Sequence, residues 1–383
     1  MDKNSYQTNI SGWGGYPIQE AKVVYPKSIE QILEEIKKSD LIARGNGRAY
    51  GDSSINKKNT INMKYFNHII SFDDSSGVLE VESGILLEDI VNTFLPKGWF
   101  PYVTPGSKLV TIGGLIAADV HGKNHHKDGS FRNFVEWFEL INSKGEIIKC
   151  SRNENKDMFE WTIGGMGLTG IIIRAAIKLR PVETCWIKQK TLVANNIDQT
   201  LEIFEKNMDA TYSVAWINST NRHSNIGQSL IMLGEHAKIN DLNQKNSLNP
   251  LKIKSKKNRN IPFYFPNWFL NKRLIKLFNF LYYFLCKNSP KEKIVYWDDY
   301  FYPLDSIMGW NKIYGRKGFV QYQCVIPLEK SKEGLIELLK EIDKSKVSPF
   351  LSVLKRFGKQ NSKFSFPMEG YTIALDFPIN EET

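Results

Sequence analysis

The stretch Thr104–Phe134 reads TPGSKLVTIGGLIAADVHGKNHHKDGSFRNF. It holds five glycines and three of the chain's six histidines. Gly113 and Gly114 stand near the small residues Ala117 and Ala118. A run without Cβ atoms lets a backbone come close to a ligand. A second glycine-rich turn precedes it, Arg44-Gly45-Asn46-Gly47-Arg48-Ala49-Tyr50-Gly51-Asp52. A third follows, Gly164-Gly165-Met166-Gly167-Leu168-Thr169-Gly170. The three turns read as walls of one cofactor cleft, with the rest of the chain as support.

In the first turn, Gly45 and Gly47 are flanked by Arg44 and Arg48. Successive backbone N–H groups in such a turn form an anion nest, and an arginine adds charge-assisted bonds, so a pyrophosphate is the natural guest. The alternative is an ordinary tight turn. It is not the nicotinamide fingerprint, because the third glycine, Gly51, falls one residue late and no helix pattern follows. His121, His125 and His126 raise the question of a metal, but no Cys or Glu with matching spacing lies nearby. His121 and Lys123 read better as polar groups projecting from a glycine-supported backbone.

The flanks supply the support. Residues 25–38 predict a helix, with Ser28 and Gln31 as a capping box and Ile29, Ile32, Leu33 and Ile36 at helical spacing. Residues 41–43 predict a strand, 60–82 more strands, 85–95 a helix and 135–149 a hairpin. Residues 171–179 form a strand closed by Pro181. This is α+β texture, not regular βαβ alternation. After Pro181 glycines thin out and aromatics increase, which marks a second domain with its own sheet. There Gly318–Pro327 predicts a strand with Gln321 and Gln323 on one face, 331–344 a helix, and 350–357 and 371–379 two further strands.

Composition agrees with a folded chain of two domains: 383 residues, 42% hydrophobic and 24% charged. Four scattered cysteines without a CxxC pair argue against a disulfide framework. The polar N-terminus, MDKNSYQTNI, has no apolar export core, which predicts a cytoplasmic location. The net charge of +10 is local. Residues 251–293 carry eleven Lys or Arg against Glu292, and the remainder is balanced. Within 267–287, helical spacing puts Lys272, Lys276, Asn279, Tyr283 and Lys287 on one face and Trp268, Leu274, Phe278, Leu281 and Leu285 on the other. The apolar run is too short to span a bilayer. A helix lying at an anionic membrane surface fits, and nucleic acid does not, because the cluster sits on an apolar segment.

The blocks RGNGRAYGDSS, VTPGSKLVTIGGLIAADVHGKNHHKDGSF, GGMGLTGIII, GFVQYQCVIP and FLSVLKRFG…SFPMEGYTIALDFPI together resemble the decaprenylphosphoryl-ribose 2-oxidases, flavoproteins of the vanillyl-alcohol-oxidase superfamily. The matches run in order over nearly the whole chain. The resemblance implies an α+β, two-domain FAD-binding fold of the vanillyl-alcohol-oxidase type with an antiparallel-sheet substrate domain. The expected division is 1–182 for FAD, 183–350 for a substrate cap with the basic membrane-facing insert 251–293, and 351–383 for strands at the substrate site. By motif position, Gly45, Asn46, Gly47, Arg48 and Ala49 would bind the pyrophosphate. Pro105, Gly106, Thr111, Gly113, Gly114, His121 and Gly122 would line the diphosphate and flavin, with Gly167, Gly170 and Ile173 on the adenine side. Many relatives carry a flavin-linking His where this chain has Tyr50, so the FAD is expected to be non-covalent.

The resemblance further implies oxidation of the C2 hydroxyl of a polyprenyl-phosphoryl ribose to the 2-keto sugar, with hydride passing to flavin. A short-chain reductase partner would complete the epimerisation to arabinose for cell-envelope glycan. Lys355, Lys123 and Gln323 match substrate-side positions, with His121 and Tyr50 as further catalytic candidates. A buried lysine can act as a base or pair with phosphate. The place where some relatives carry a reactive Cys is Ala374. The implied location is peripheral, at the inner face of the cell membrane. The chain stops at Asn380–Thr383, where relatives continue with a Tyr-x-x-Lys segment beside the flavin. A slow or inactive FAD-binding chain is therefore expected, and a non-catalytic flavin protein or a soluble aldonolactone or alditol oxidase are the alternatives.

Overall fold

The computed structural model describes residues 5–221, 223–254, 259–266, 268–345, 347–381 and 383. The strands are β1 Ser5–Ser11, β2 Ile18–Val24, β3 Ile42–Arg44, β4 Thr60–Asn62, β5 Ile69–Asp73, β6 Val78–Glu82, β7 Trp99–Pro101, β8 Val135–Ile141, β9 Ile147–Ser151, β10 Ile171–Pro181, β11 Trp186–Ala194, β12 Tyr212–Ile217, β13 Ser229–His236, β14 Arg259–Asn260, β15 Glu292–Tyr296, β16 Ile307–Met308, β17 Phe319–Pro327, β18 Leu351–Phe357 and β19 Gly370–Pro378. The α-helices are α1 Ile29–Ile36, α2 Leu87–Phe94, α3 Ile112–Ala117, α4 His125–Asp128, α5 Lys156–Thr162, α6 Ile197–Lys206, α7 Gln244–Ser247, α8 Lys272–Lys287, α9 Trp297–Phe301 and α10 Ser331–Lys344.

Two compact units result. The first takes residues up to His121, Ser130–Val182 and Ser362–Phe366; the second takes Gly122–Gly129, Glu183–Asn361 and Pro367–Thr383. Two short pieces thus belong to the unit that does not hold their sequence neighbours. Their hydrogen bonds, not their position in the chain, decide this.

In the first unit the order β1-β2-β4-β3 forms one sheet, and β5-β6-β10-β8-β9, with β7 also pairing β10, forms a second among the described residues. The first sheet is parallel where β4 joins β2 and β3; the second is antiparallel throughout. Helix α1 starts as expected, with the Ser28 hydroxyl accepting from the Gln31 N–H. The Gln31 side-chain oxygen Oε1 accepts from the Lys27 N–H at 2.8 Å, one residue earlier than a capping box requires. Ile32 of α1 is fully buried against Ile61, Ile141, Ile171 and Ile173, each such side chain contributing about 1.5–3 kcal/mol of apolar burial.

The second unit is built on the antiparallel order β15-β11-β13-β12-β18-β19-β17. Because side chains alternate along a strand, each face is read from the register. Ala215, Leu354, Tyr371, Ile373 and Leu375 point to the face covered by Phe204 of α6 and by Leu335, Leu339 and Ile342 of α10. On the opposite face, Trp216 and Leu230 pack against Tyr283 of α8.

Helix α8 departs from the sequence expectation. Asn279 and Tyr283, grouped there with the lysines on one face, are buried. The Asn279 amide donates to Asn218 Oδ1 at 3.2 Å and to Thr220 Oγ1 at 3.3 Å. The Tyr283 hydroxyl donates to Asn195 Oδ1 at 3.2 Å. These bonds offset the cost of burying polar groups, so the helix docks through Asn279 and Tyr283 together with the buried Ile275. Leu277, Phe280, Leu281, Phe284 and Leu285 are left exposed. Residues 255–258 and 267 of the basic segment lie outside the described residues.

Candidate functional site

The three glycine turns meet on helix α3, all within the first unit. The Thr111 hydroxyl caps this helix by accepting from the Gly114 N–H at 3.3 Å. The Asn46 amide donates to the Leu109 carbonyl at 2.9 Å and so ties the first turn to the second. The third turn bonds to the other end of α3: Gly164 N–H to the Ile116 carbonyl at 3.1 Å, and Met166 N–H to the Ala117 carbonyl at 2.8 Å.

The glycines here do different jobs. A Cβ on Gly45 would overlap Thr111 Oγ1 at 2.2 Å, and one on Gly113 would stand 3.0 Å from the Ser83 Cβ. A Cβ on Gly170 would meet the Ile141 carbonyl oxygen at 2.4 Å. These three make room for the chain itself. Gly47 and Gly167 adopt positive φ, 65° and 80°, a region that glycine enters without steric penalty. Among the described residues, no atom beyond the adjoining backbone lies within 4 Å of the Cβ position at Gly51 and Gly106, and at Gly114 only Thr111 Oγ1 does, at 3.1 Å. These are the positions that leave backbone open to a ligand.

Other expected residues are placed as follows. Arg44 donates to the Ser11 carbonyl at 2.7 Å and to Ser54 Oγ at 3.2 Å, and Arg48 lies 4.0 Å over the Trp13 ring. Both guanidinium groups therefore hold the N-terminal segment to the first turn. The Ala49 carbonyl accepts from the Trp13 N–H at 2.8 Å. Tyr50 is exposed, the Pro105 carbonyl accepts from the Thr104 hydroxyl at 3.3 Å, and Ile173 points into the core. His121 pairs with Ser130 through an isolated β-bridge and lies 6.2 Å from the Phe366 ring. Gly122 is buried and opens the segment that belongs to the second unit.

Sequence reasoning missed the groups around His121. Asp119 adopts a positive φ of 39°. Its carboxylate accepts from the Arg132 N–H at 3.0 Å and from the Ser365 hydroxyl. Ser83 Oγ and Ser130 Oγ are buried without hydrogen-bond partners among the described residues. Unpartnered buried hydroxyls and glycines with an open Cβ side are features that fit a polar cofactor. One signal was available: Asp119 is a lone acid inside the small apolar run IAADV.

In the second unit, Lys355 and Gln323 share a sheet face, and Lys123 lies near enough to Lys355 for their charges to interact. The Ser213 N–H donates to the Lys123 carbonyl at 2.7 Å, which fixes the segment on β12. The Lys123 ammonium donates to the Tyr300 carbonyl and stands 4.3 Å from the centre of the Tyr300 ring. Burial and the charge of Lys355 lower its pKa to about 7; burial lowers that of Lys355 to about 8. His125 is held neutral. Its Nδ1 accepts from the Gly358 N–H at 3.2 Å, so its Nε2 donates to Gln360 Oε1 at 2.9 Å. Burial brings its pKa down to about 4. His126 accepts at Nδ1 from the Ser213 hydroxyl and donates from Nε2 to the Ala210 carbonyl at 2.8 Å. The histidines thus act as neutral struts under the lysines. On the neighbouring strands, Gln323 donates to Thr372 Oγ1 at 3.0 Å, and Gln321 donates to Asp376 Oδ1 at 2.8 Å. Burial raises the Asp376 pKa to about 6.

Comparison with known proteins agrees with this arrangement. An FAD-binding-domain family model matches residues 21–151, and the chain is an FAD-dependent oxidoreductase of the vanillyl-alcohol-oxidase type. It is 34% identical to the decaprenylphosphoryl-β-D-ribose oxidase of Mycolicibacterium smegmatis over 381 residues, 97% of this chain and 82% of that protein. A Streptomyces coelicolor protein of unassigned function, encoded in the mprA 5′ region, is 26% identical over 77% of this chain and 81% of its own length. Cytokinin dehydrogenase 3 of Arabidopsis thaliana is 29% identical over 43% of this chain and 34% of its own. The chain belongs to the decaprenylphosphoryl-ribose oxidase family.

Gly106→Val tests the open side of the wall. The fold should persist, and the dissociation constant for FAD should rise about tenfold or more, roughly 1.4 kcal/mol. Titration of FAD fluorescence against the refolded flavin-free protein measures it. An unchanged constant would show that this backbone does not face the cofactor.

Proposed function

We propose that the chain oxidises the C2 hydroxyl of a polyprenyl-phosphoryl ribose to the 2-keto sugar. In this reading the first unit is the FAD domain and the second the substrate domain. The observation that carries it is the polar row Lys355, Thr372 and Gln323 on one sheet face, in a chain that aligns over 97% of its length with an oxidase named for such a sugar. FAD, when bound, accepts the hydride from the carbinol carbon. The protein must take the hydroxyl proton and fix the ring.

Lys355 is the base. Its lowered pKa makes a neutral amine available near pH 8, where proton transfer is efficient. Lys123, anchored by the Tyr300 carbonyl and with its pKa lowered to about 7, is largely neutral where Lys355 is, and serves as a hydrogen-bonding group beside it. Gln323 orients the sugar through its amide. His121 and Tyr50 serve the flavin side, and a reductase of the short-chain class is the expected consumer of the keto sugar.

Bleaching of the 450 nm-region flavin band under anaerobic conditions, on adding farnesyl-phosphoryl ribose, follows the reaction. Its rate should rise with pH through about 8, as the Lys355 ammonium loses its proton. Lys355→Met should slow it by about a hundredfold, within the usual span for removing a general base. A variant that bleaches like the wild type would remove Lys355 from the mechanism.

Tyr50 stands where many members of the superfamily carry the flavin-linking His, so the cofactor is non-covalent. Acid precipitation should release all the yellow colour to the supernatant. Flavin fluorescence retained on the denatured chain would count against this.

The exposed apolar side of α8, with Trp268 and the lysines of 251–293, makes peripheral contact with the inner face of an anionic membrane. Among the described residues no helix is long and apolar enough to cross a bilayer. Flotation with phosphatidylglycerol vesicles should capture the protein, and salt should release it by screening exposed charge. Equal capture by neutral vesicles would show that charge plays no part.

A further inference from the structure

The Thr372 hydroxyl lies at the centre of the polar row. In the sheet register Thr372 of β19 pairs with Lys355 of β18 on one side and with Val325 of β17 on the other. Directly opposed side chains on such a face stand about 5 Å apart. Gln323, two residues before Val325, shares this face and reaches Thr372 diagonally, with 3.0 Å between Nε2 and Oγ1. Thr372 Oγ1 lies 2.9 Å from the Cys324 carbonyl oxygen.

A hydroxyl has one proton, and a carbonyl oxygen can only accept. The Thr372 proton is therefore committed to Cys324, and its oxygen must accept from the Gln323 amide nitrogen. The reversed amide would place its oxygen against an oxygen whose proton is already used. We propose that Thr372 is a positioning residue: it fixes the Gln323 amide so that Oε1 points away from Thr372 and accepts a hydrogen bond from a hydroxyl of the bound sugar. The sequence Cys324 carbonyl, Thr372 hydroxyl, Gln323 amide, sugar hydroxyl then runs in one direction, each group donating to the one before it. The backbone carbonyl at its root belongs to a paired strand and cannot turn. The inference rests on the reading of Gln323 as a substrate-orienting residue.

The test compares Thr372→Val, which keeps the shape and removes the hydroxyl, with Thr372→Ser, which keeps the hydroxyl. Two readouts are taken on the FAD-loaded protein. The first is the limiting rate of flavin bleaching by farnesyl-phosphoryl ribose. The second is the side-chain 15N–1H pair of Gln323, assigned by its loss in Gln323→Glu, which needs no substrate. Thr372→Val should retain its melting temperature and FAD content, lose about tenfold in limiting rate, as expected for one misdirected hydrogen bond, and shift the amide pair. Thr372→Ser should match the wild type within about threefold. Should the valine variant fail to fold, Thr372→Ala is measured in its place. An unshifted amide pair in the hydroxyl-less variant overturns the proposal, as does a wild-type bleaching rate. If the wild type itself is not bleached, the substrate reading has failed, and the amide pair alone decides: a shift confined to the hydroxyl-less variant upholds the fixed amide, and no shift overturns it.

Discussion

The first unit depends on backbone packed against backbone at helix α3. Its six residues, IGGLIA, contain two glycines and would not form a helix in isolation. They do so because Thr111 caps one end and the third glycine turn bonds to carbonyls at the other. Gly113 donates to the Ser83 carbonyl at 2.7 Å, a contact that any side chain on Gly113 would crowd. Short backbone contacts of this kind leave no freedom for the loops that carry the ligand-facing groups. Such contacts hold the three turns against one another, and preorganisation of this kind lowers the cost of binding a ligand.

The second unit uses a different device for the same end. One sheet face is a conventional apolar core under α6 and α10; the other carries a polar row whose members orient each other. Neutral His125 and His126 brace the segment 122–129 against β18 and β12 without adding charge beside Lys123 and Lys355. Protonated struts there would push the lysine pKa values further down through like-charge repulsion. The lysines stay in a range useful for proton transfer partly because their supports are uncharged.

Much of this was legible in the sequence. Helix α10 is found at residues 331–344, as its periodicity predicts, and Gln321 and Gln323 share a face because a strand repeats every two residues. The glycine turns were visible as glycine clusters. What each glycine accommodates was not, since Gly45 and Gly106 look alike until Thr111 is placed beside one and nothing beside the other. The membership of 122–129 and 362–366 was also hidden, because it is decided by bonds to residues more than 80 positions away in the first case and by Ser365 meeting Asp119 in the second. For helix α8 the amphipathic spacing identifies two faces but cannot say which one packs, because that depends on the neighbouring surface. Here the neighbour supplies Asn218, Thr220 and Asn195.

That inversion changes how substitutions on α8 are tolerated. On an ordinary surface helix the apolar positions are the sensitive ones and the polar positions vary without harm. On α8, exchanging Phe280 or Leu285 for a polar residue removes little buried area, because both side chains are already exposed. Exchanging Asn279 for leucine removes two amide donations, to Asn218 and Thr220, from a buried polar cluster. Folding therefore places little demand on Phe280 and Leu285, and their apolar surface is free to serve a contact outside the fold.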